Sequence, residues 1–537
     1  MRHYPHVAHP HSSLILSAVP LTFDRHIVRC PEAEVRPGRE RRQTADMQQL
    51  SSLDAQFLHI ESPTTTGHVG GLLLLDPAEA PDGDLTLERL REVLEPRLHL
   101  APLLRQRLVS VPLGLARPYW VDDPDFDIEF HLREISLPQP GDDAQLSEQV
   151  SRIHARPLDR ARPLWEMYLI SGVQGGRQAL YSKVHHAAID GVSGAEILAV
   201  IVDTTVEPRL EEPPAEYWDP APLPSPVALF QRGVEAAVRQ PGETLRTLPR
   251  ALPYFADLPF VSMLPGVKTA SQIASSLASM AVSGTSEVEV VSRRIPVAPA
   301  TPINGRITAH RRFAFGSLAL DDIKTVKDAF GLTVNDVVMA LCAGALRRWL
   351  LDHDGLPDQP VVVAVPVSIR THEHEGPGNQ VSMMLAELPT HLAGPTERLA
   401  EVQESMTAAK EQFEALPATI LQDLTAAIPT VWASLAARAV FRVVAAGAPP
   451  FNLFVSNVPG PQMPLYVGGA RIVGVYPASA ITDFTGALSI TVFSYDGSLD
   501  VGLIACRELV PDVWNLIDYL REELGELLEL VASDEAG

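Results

Sequence analysis

The sequence predicts an α/β protein of two or more domains, and three observations lead there. A chain of 537 residues exceeds what one hydrophobic core usually organises, so two domains are expected and a third is allowed. Short apolar runs of strand length alternate with segments of helical spacing from Met47 onward, which is the pattern of α/β folds. Between residues 207 and 226 seven prolines stand among acidic residues, the composition of an extended linker. The expected division is therefore a leader over 1–46, an N-terminal domain over 47–206, a Pro-rich linker with crossing helices over 207–300, and a C-terminal domain over 301–537.

Taken in order, residues 1–46 carry five histidines, seven arginines and no lysine, with one apolar patch over 14–23. They lack the basic start and small-residue cleavage site of a secretory signal, so they read as a disordered leader or as sequence upstream of a start at Met47. Residues 69–75 form a short apolar run of strand length, and 85–98 show helical spacing with acids and arginines on the outer face. Residues 178–185 read as a strand, Asp190-Gly191 as a turn, and Ser193 as the N-cap of a helix through Ile201. Residues 227–285 look helical with proline punctuation. Beyond the linker, 310–315 and 361–367 read as strands and 334–351 as a strong helix. Further strands are expected at 451–457, 471–476, 488–495 and 499–505, the last two joined as a hairpin through Asp496-Gly497-Ser498. An amphipathic helix over 511–531 closes the chain.

Composition narrows the function. Forty-six per cent apolar and 20% charged residues are ordinary for a globular protein. A net charge of −23 argues against a general nucleic-acid binder, which needs a basic face for phosphates. Three cysteines, Cys30, Cys342 and Cys506, without a CxxC pair, suit a reducing compartment. No stretch reaches about 20 apolar residues without charge; residues 443–470 lack charge but are broken by five prolines, and 424–442 carry Arg438 and Arg442. A soluble or peripheral protein is expected. The nucleophile elbow, phosphate loop, dinucleotide fingerprint and zinc-binding motifs are all missing from the sequence.

One dense constellation remains, His185-His186-Ala187-Ala188-Ile189-Asp190-Gly191. Adjacent residues leaving a strand point to opposite faces, so one histidine faces a cleft and the other is structural. An imidazole can take a proton from an attacking hydroxyl or amine, worth about a hundredfold to ten-thousandfold in rate. A nearby carboxylate orients loop or ring, and Gly191 permits a tight turn. A buried, satisfied histidine pair is the plainer reading. Zinc would want three or four convergent ligands, and the motif offers at most two on one side, so no metal is expected.

HHxxxDG resembles the motif of the CoA-dependent acyltransferase superfamily, which includes chloramphenicol acetyltransferase, peptide-synthetase condensation domains and bacterial wax ester synthase/diacylglycerol acyltransferases. Other segments resemble the last branch: Leu50-Ser51-Ser52-Leu53-Asp54-Ala55-Gln56-Phe57-Leu58 its start, Pro163-Leu164-Trp165 its PLW motif, and Asn335-Asp336 its ND motif. Ser456-Asn457-Val458-Pro459-Gly460-Pro461 resembles its NVPGP motif, and residues 463–470 the PLYxxGA stretch that follows. Each has a structural reading too: Trp165 as a core anchor, Asn335 and Asp336 as helix-capping residues, and Asn457, Pro459 and Gly460 as shapers of a rigid loop.

The resemblance implies two chloramphenicol-acetyltransferase-like domains with an active-site tunnel between them. It implies transfer of a long-chain acyl group from acyl-CoA, a co-substrate and not a resident cofactor, to diacylglycerol and to fatty alcohols. His186 would be the general base and Asp190 would hold the loop and ring geometry. Asn335 or the main chain near Gly486 are candidate oxyanion donors. Arg311, Arg312, Arg347, Arg348 and Arg370 are possible CoA phosphate contacts, with solvated surface arginines the plainer reading for most of them, and the stretch 419–446 suits either an interior helix pair or the surface of a membrane or lipid droplet. A carrier-fed condensation-type acyltransferase and a non-catalytic lipid-binding relative are the competing readings.

Overall fold

The structure is a computed structural model that describes residues 47–81, 83–189, 197–198, 200–211, 218, 220, 222–251, 296–368, 381–414 and 451–536. Nine helices are described: α1 (Ser52–His59), α2 (Leu87–Leu94), α3 (Ile128–His131), α4 (Asp143–His154), α5 (Pro226–Ala251), α6 (Leu320–Phe330), α7 (Val334–Asp352), α8 (Pro395–Glu414) and α9 (Trp514–Ala536).

The strands form three sheets. A small sheet joins β1 (Gln48–Gln49), β4 (Tyr119–Asp122) and β3 (Gln106–Val109). The N-terminal six-stranded sheet contains β2 (His68–Asp76), β5 (Leu132–Ser136), β6 (Trp165–Val173), β7 (Arg177–His185), β12 (Tyr466–Val467) and β13 (Ala470–Ala478), in the order β12-β13-β2-β7-β6-β5. The C-terminal six-stranded sheet contains β8 (Arg311–Ala319), β9 (Val361–Ser368), β10 (Val381–Leu388), β11 (Leu453–Pro459), β14 (Leu488–Tyr495) and β15 (Ser498–Cys506), in the order β10-β9-β11-β14-β15-β8. Pairing is mostly antiparallel; β5 with β6, and β11 with both β9 and β14, run parallel.

The four consecutive leucines of β2 show why both sheet faces are covered. Side chains alternate across a strand, and Leu73 and Leu75 enter one apolar cluster while Leu72 and Leu74 enter another. The second cluster also takes Leu146 and Val150 of α4 with Phe313, Phe315 and Ile504 from the C-terminal sheet, so it is the core between the two halves. On its other side the C-terminal sheet buries α6, α7, α8 and α9. The apolar run of β9 suits this position, buried on both faces.

Local signals held where the chemistry is local. Asp496 and Gly497 take φ of +42° and +85°, the left-handed pair of a two-residue hairpin turn, so β15 starts at Ser498, one residue earlier than expected. Thr333 and Asp336 form a reciprocal capping box at the head of α7. The helix expected over 85–98 stops at Leu94 and continues as a tighter 3-10 turn over Glu95–Leu100, where Pro96 cannot supply a helical amide. Strands β1, β3 to β6, β10 and β12, and helices α1, α3, α4, α6 and α8, were not anticipated. The turn at Asp190-Gly191 with its Ser193 cap lies outside the described residues, as do residues 1–46 and 252–295.

The linear division at residue 301 meets one crossing. Strand β13 lies antiparallel beside β2, from Arg471↔Asp76 to Ala478↔Gly70. The C-terminal part of the chain thus supplies two strands, β12 and β13, to the N-terminal sheet.

Candidate active site

The histidines sit where β7 ends. His185 is its last residue, and His186 opens a 3-10 turn over His186–Ala188. Two backbone bonds from other elements fix this exit: the His185 amide donates to the Leu164 carbonyl at 2.9 Å, and the His186 amide donates to the Gly67 carbonyl at 2.8 Å. The side chains then part, as expected of neighbours leaving a strand.

His185 is 1% exposed and structurally committed. Its Nδ1 accepts the Ala187 amide at 3.0 Å and its Nε2 donates to Glu61 Oε1 at 3.1 Å, which places the ring proton on Nε2. Glu61 also accepts from the Gly67 amide at 2.9 Å and from the Arg160 guanidinium. Burial works to raise the Glu61 pKa, but the bond from His185, the Gly67 amide and the nearby Arg160 charge override it and hold the carboxyl at about 2. Gly67 is required by close approach: a Cβ there would lie 2.7 Å from both His185 Nε2 and the Phe57 carbonyl oxygen.

His186 is half-buried, its ring stacked on Phe57 of α1 with centroids 3.9 Å apart and planes 15° from parallel. Burial, which penalises the charged imidazolium, lowers its pKa to about 4. The ring is therefore neutral at pH 7 and able to accept a proton.

The remaining motifs fall around this exit or on the C-terminal sheet and its helix α7. Leu164 supplies the carbonyl already named, beside Pro163. Trp165 begins β6 opposite Val184 of β7, is 1% exposed, donates its indole N–H to the Leu104 carbonyl at 2.8 Å and stacks on His131 at 4.3 Å. The Pro-Leu-Trp segment thus braces the strand that carries the histidines. Asp336 accepts from the Thr333 amide and hydroxyl at 2.9 and 2.7 Å, a capping role. Asn335 Oδ1 accepts from Asn457 Nδ2 at 3.3 Å, so the ND and NVPGP motifs touch each other. Past Pro459, a Cβ on Gly460 would fall 2.3 Å from Phe493 Cε1 and from the Ser494 carbonyl oxygen, so the loop packs flat on β14. Gly486, at φ +84°, lies in a corner pinned by Asp483 Oδ1, which accepts the Ile307 amide at 2.7 Å. Asp190 and Gly191 lie outside the described residues, as does 419–446.

The arginines named as CoA contacts are mostly spent on the protein itself. Arg311, 5% exposed, donates to the carbonyls of Thr308, His310 and Thr64. Arg312 pairs with Glu148, Arg347 donates to the Thr390 and His391 carbonyls, and Arg348 pairs with Glu522, Glu523 and Glu526. Each of these four guanidinium groups is thus engaged by carboxylates or carbonyls of the chain itself, which leaves fewer of its N–H groups for a phosphate. Arg370 lies outside the described residues. Sequence reasoning missed Glu61 altogether, and it quoted Phe57 only as part of a motif. Among the described residues no group of three or more His, Cys, Asp or Glu side chains could hold a metal ion.

A histidine-bearing strand exit in a two-sheet α/β frame is the arrangement of a CoA-dependent acyltransferase. Comparison with known proteins specifies the branch: the chain belongs to the wax ester synthase/diacylglycerol acyltransferase family, matching its catalytic domain over residues 50–338 and its C-terminal domain over 377–528. It is 37% identical, over 90% of its length and 91% of the relative's, to a Mycobacterium tuberculosis protein named provisionally as a diacylglycerol O-acyltransferase. It is 31% identical to the O-acyltransferase WSD of Acinetobacter baylyi, covering 91% of this chain and 99% of that one. The solved wax ester synthase/diacylglycerol acyltransferase from Marinobacter aquaeolei VT8 superposes with a TM-score of 0.61 at 31% identity, over 90% of this chain and 100% of that one. The first condensation domain of the calcium-dependent antibiotic synthetase, 17% identical with a TM-score of 0.50, shares the fold. The chain is an acyl-CoA-dependent O-acyltransferase.

Proposed function

We propose that His186 is the general base in transfer of a long-chain acyl group from acyl-CoA to diacylglycerol, giving triacylglycerol, and to fatty alcohols, giving wax esters. The observation that carries this reading is the neutral His186 ring, held flat against Phe57 at the end of a strand whose two exit amides are both tied down. As the acceptor hydroxyl attacks the thioester carbonyl, His186 takes its proton. The carbon–sulfur bond then breaks, the ester leaves, and the proton passes to the departing CoA sulfur. The acyl group never bonds to the enzyme. Glu61 and His185 keep the loop in register and transfer no proton, and the resemblance assigns Asp190 a similar holding role.

Acceptors of this kind dissolve in membranes, and peripheral contact with the inner face of the cell membrane or with lipid droplets follows as part of the proposal. An apolar stripe on α5 supports it: Val227, Phe230, Val234 and Val238, at helical spacing, are 67%, 42%, 41% and 75% exposed. Among the described residues no single helix is long and apolar enough to cross a membrane.

The test is CoA release with product identification, using the full chain, palmitoyl-CoA and either dioleoylglycerol or hexadecanol. Acceptor-dependent release is expected, and His186→Ala should abolish it while circular dichroism stays unchanged. Retained turnover in folded His186→Ala would remove the general-base assignment.

A further inference from the structure

Acyl-CoA carries three phosphates, and a chain of net charge −23 repels them at long range unless local cations gather. Among the described residues, the arginines that sequence reasoning put forward already have internal partners, so cations without such partners are the better candidates. A cleft of about 610 Å³ between α5 and the small sheet has the required character. Arg117, Arg232 and Arg239 line it with Gln49, Tyr119 and a single carboxylate, Glu235. Its size lies in the range of small-molecule sites, about 300–1,000 Å³. Arg232 and Arg239 make no ion pair or hydrogen bond among the described residues, unlike Arg312 and Arg348 with their carboxylates.

The wall that carries them is firmly seated. Leu229 is buried, and a Cβ on Gly233 would come within 2.6 Å of Val111 Cγ1 and 3.0 Å of Leu115 Cβ, so α5 lies directly against the 111–115 loop. On the other wall Arg117 donates to Ser52 Oγ at 3.0 Å, tying the cleft to the first residue of α1. A second hollow, of about 280 Å³, leads from the cleft toward the elements that hold the site. Ala116 lines both, and the hollow ends on Leu58, His59 and Arg160. Leu58 follows Phe57, the ring stacked on His186, and Arg160 is the partner of Glu61.

We propose that the cleft between α5 and the small sheet binds the phosphates at the nucleotide end of acyl-CoA, with Arg232 and Arg239 as the principal contacts. This rests on the acyl-CoA-dependent reading of the site. Guanidinium groups suit the role because they pair with phosphate oxygens two at a time.

The experiment compares the wild-type chain with Arg232→Ala/Arg239→Ala, changes that favour the helix and leave its packed face alone. With palmitoyl-CoA the KM should rise about tenfold or more, while kcat changes less than about twofold. With palmitoyl-N-acetylcysteamine, a thioester without phosphates, the two proteins should behave alike, and inhibition by adenosine 3′,5′-diphosphate should weaken in the variant. An unchanged KM for palmitoyl-CoA overturns the proposal, as does an equal loss with the phosphate-free thioester, which would mark a structural effect. An unchanged KM with weaker binding to phosphatidylglycerol vesicles would assign the cleft to lipid headgroups and overturn it as well. If the wild type released no CoA, the acyltransferase reading would fail separately, and equilibrium binding of adenosine 3′,5′-diphosphate to the two proteins would still decide the cleft.

Discussion

The imidazole of His186 is aimed by groups with quite different duties. Phe57 sets the plane of its ring, Gly67 holds its amide, and Glu61 acts only through His185 and Gly67. Glu61 is thus a positioning residue, and displacement of a reacting group by about 1 Å can cost a hundredfold. Glu61→Ala should lower kcat by about 10- to 100-fold with little change in KM. Glu61→Gln, which can still accept from the Gly67 amide, should restore most of it; equal loss in both variants would point to the charge itself. The pH profile supplies a second check. Burial holds the His186 pKa at about 4, below the ordinary histidine value, so the base form persists as pH falls through 6.5. The acid limb of kcat/KM should therefore lie near pH 4, measured over a range where tryptophan fluorescence reports a folded protein.

At the scale of elements, α7 and α9 meet through a polar contact inside an apolar layer. Glu523 of α9, 2% exposed, fits the notch left by Gly344 of α7, where a Cβ would fall 2.1 Å from its Cδ. Arg398 of α8 pairs with it and also donates to the carbonyls of Leu392 and Ala393. Arg398→Ala leaves Glu523 only the longer contact to Arg348 at 3.6 Å and frees the Leu392 and Ala393 carbonyls, so it should lower stability by about 1.5–3 kcal/mol in urea unfolding. Elements of this kind were legible in part. The head of α7 and the β14–β15 hairpin were readable because a capping box and an Asp-Gly turn are complete within a few residues. The histidine motif was readable as a string, and its outward and inward faces followed from strand geometry. Its supports were not: Glu61 reaches His185 across 124 residues of chain, through the pairing of β2 with β7, and no local pattern marks a lone glutamate for that task. The internal partners of Arg311, Arg312, Arg347 and Arg348 were illegible for the same reason, since only tertiary structure shows which guanidinium groups are already engaged.

At the scale of the molecule, the two halves share a strand crossing and a core. Strand β13 completes the N-terminal sheet, and Phe313, Phe315 and Ile504 share a core with Leu72, Leu74 and Tyr181. His154 of α4 adds a polar tie: its Nδ1 accepts from the Tyr181 hydroxyl at 2.6 Å and its Nε2 donates to the Ser479 carbonyl at 3.2 Å. A fragment ending at residue 300 would leave one edge of β2 unpaired and this apolar face bare, a combination that promotes aggregation. It should be insoluble alone and recovered in soluble form when co-expressed with residues 301–537; a soluble, monomeric fragment with cooperative unfolding would show that β13 is dispensable.

The crossing of β13 also sets a clock during synthesis. Its partner β2 and the neighbouring β7 have been synthesised by residue 185, but β13 is complete only at residue 478. At about 5–20 residues per second, the nascent chain carries an unfinished sheet for roughly 15–60 s. Throughout that interval the open edge of β2, with its four leucines, is available to chaperones and to neighbouring chains on the same messenger, so expression yield should depend on translation speed between these two points more than on speed elsewhere.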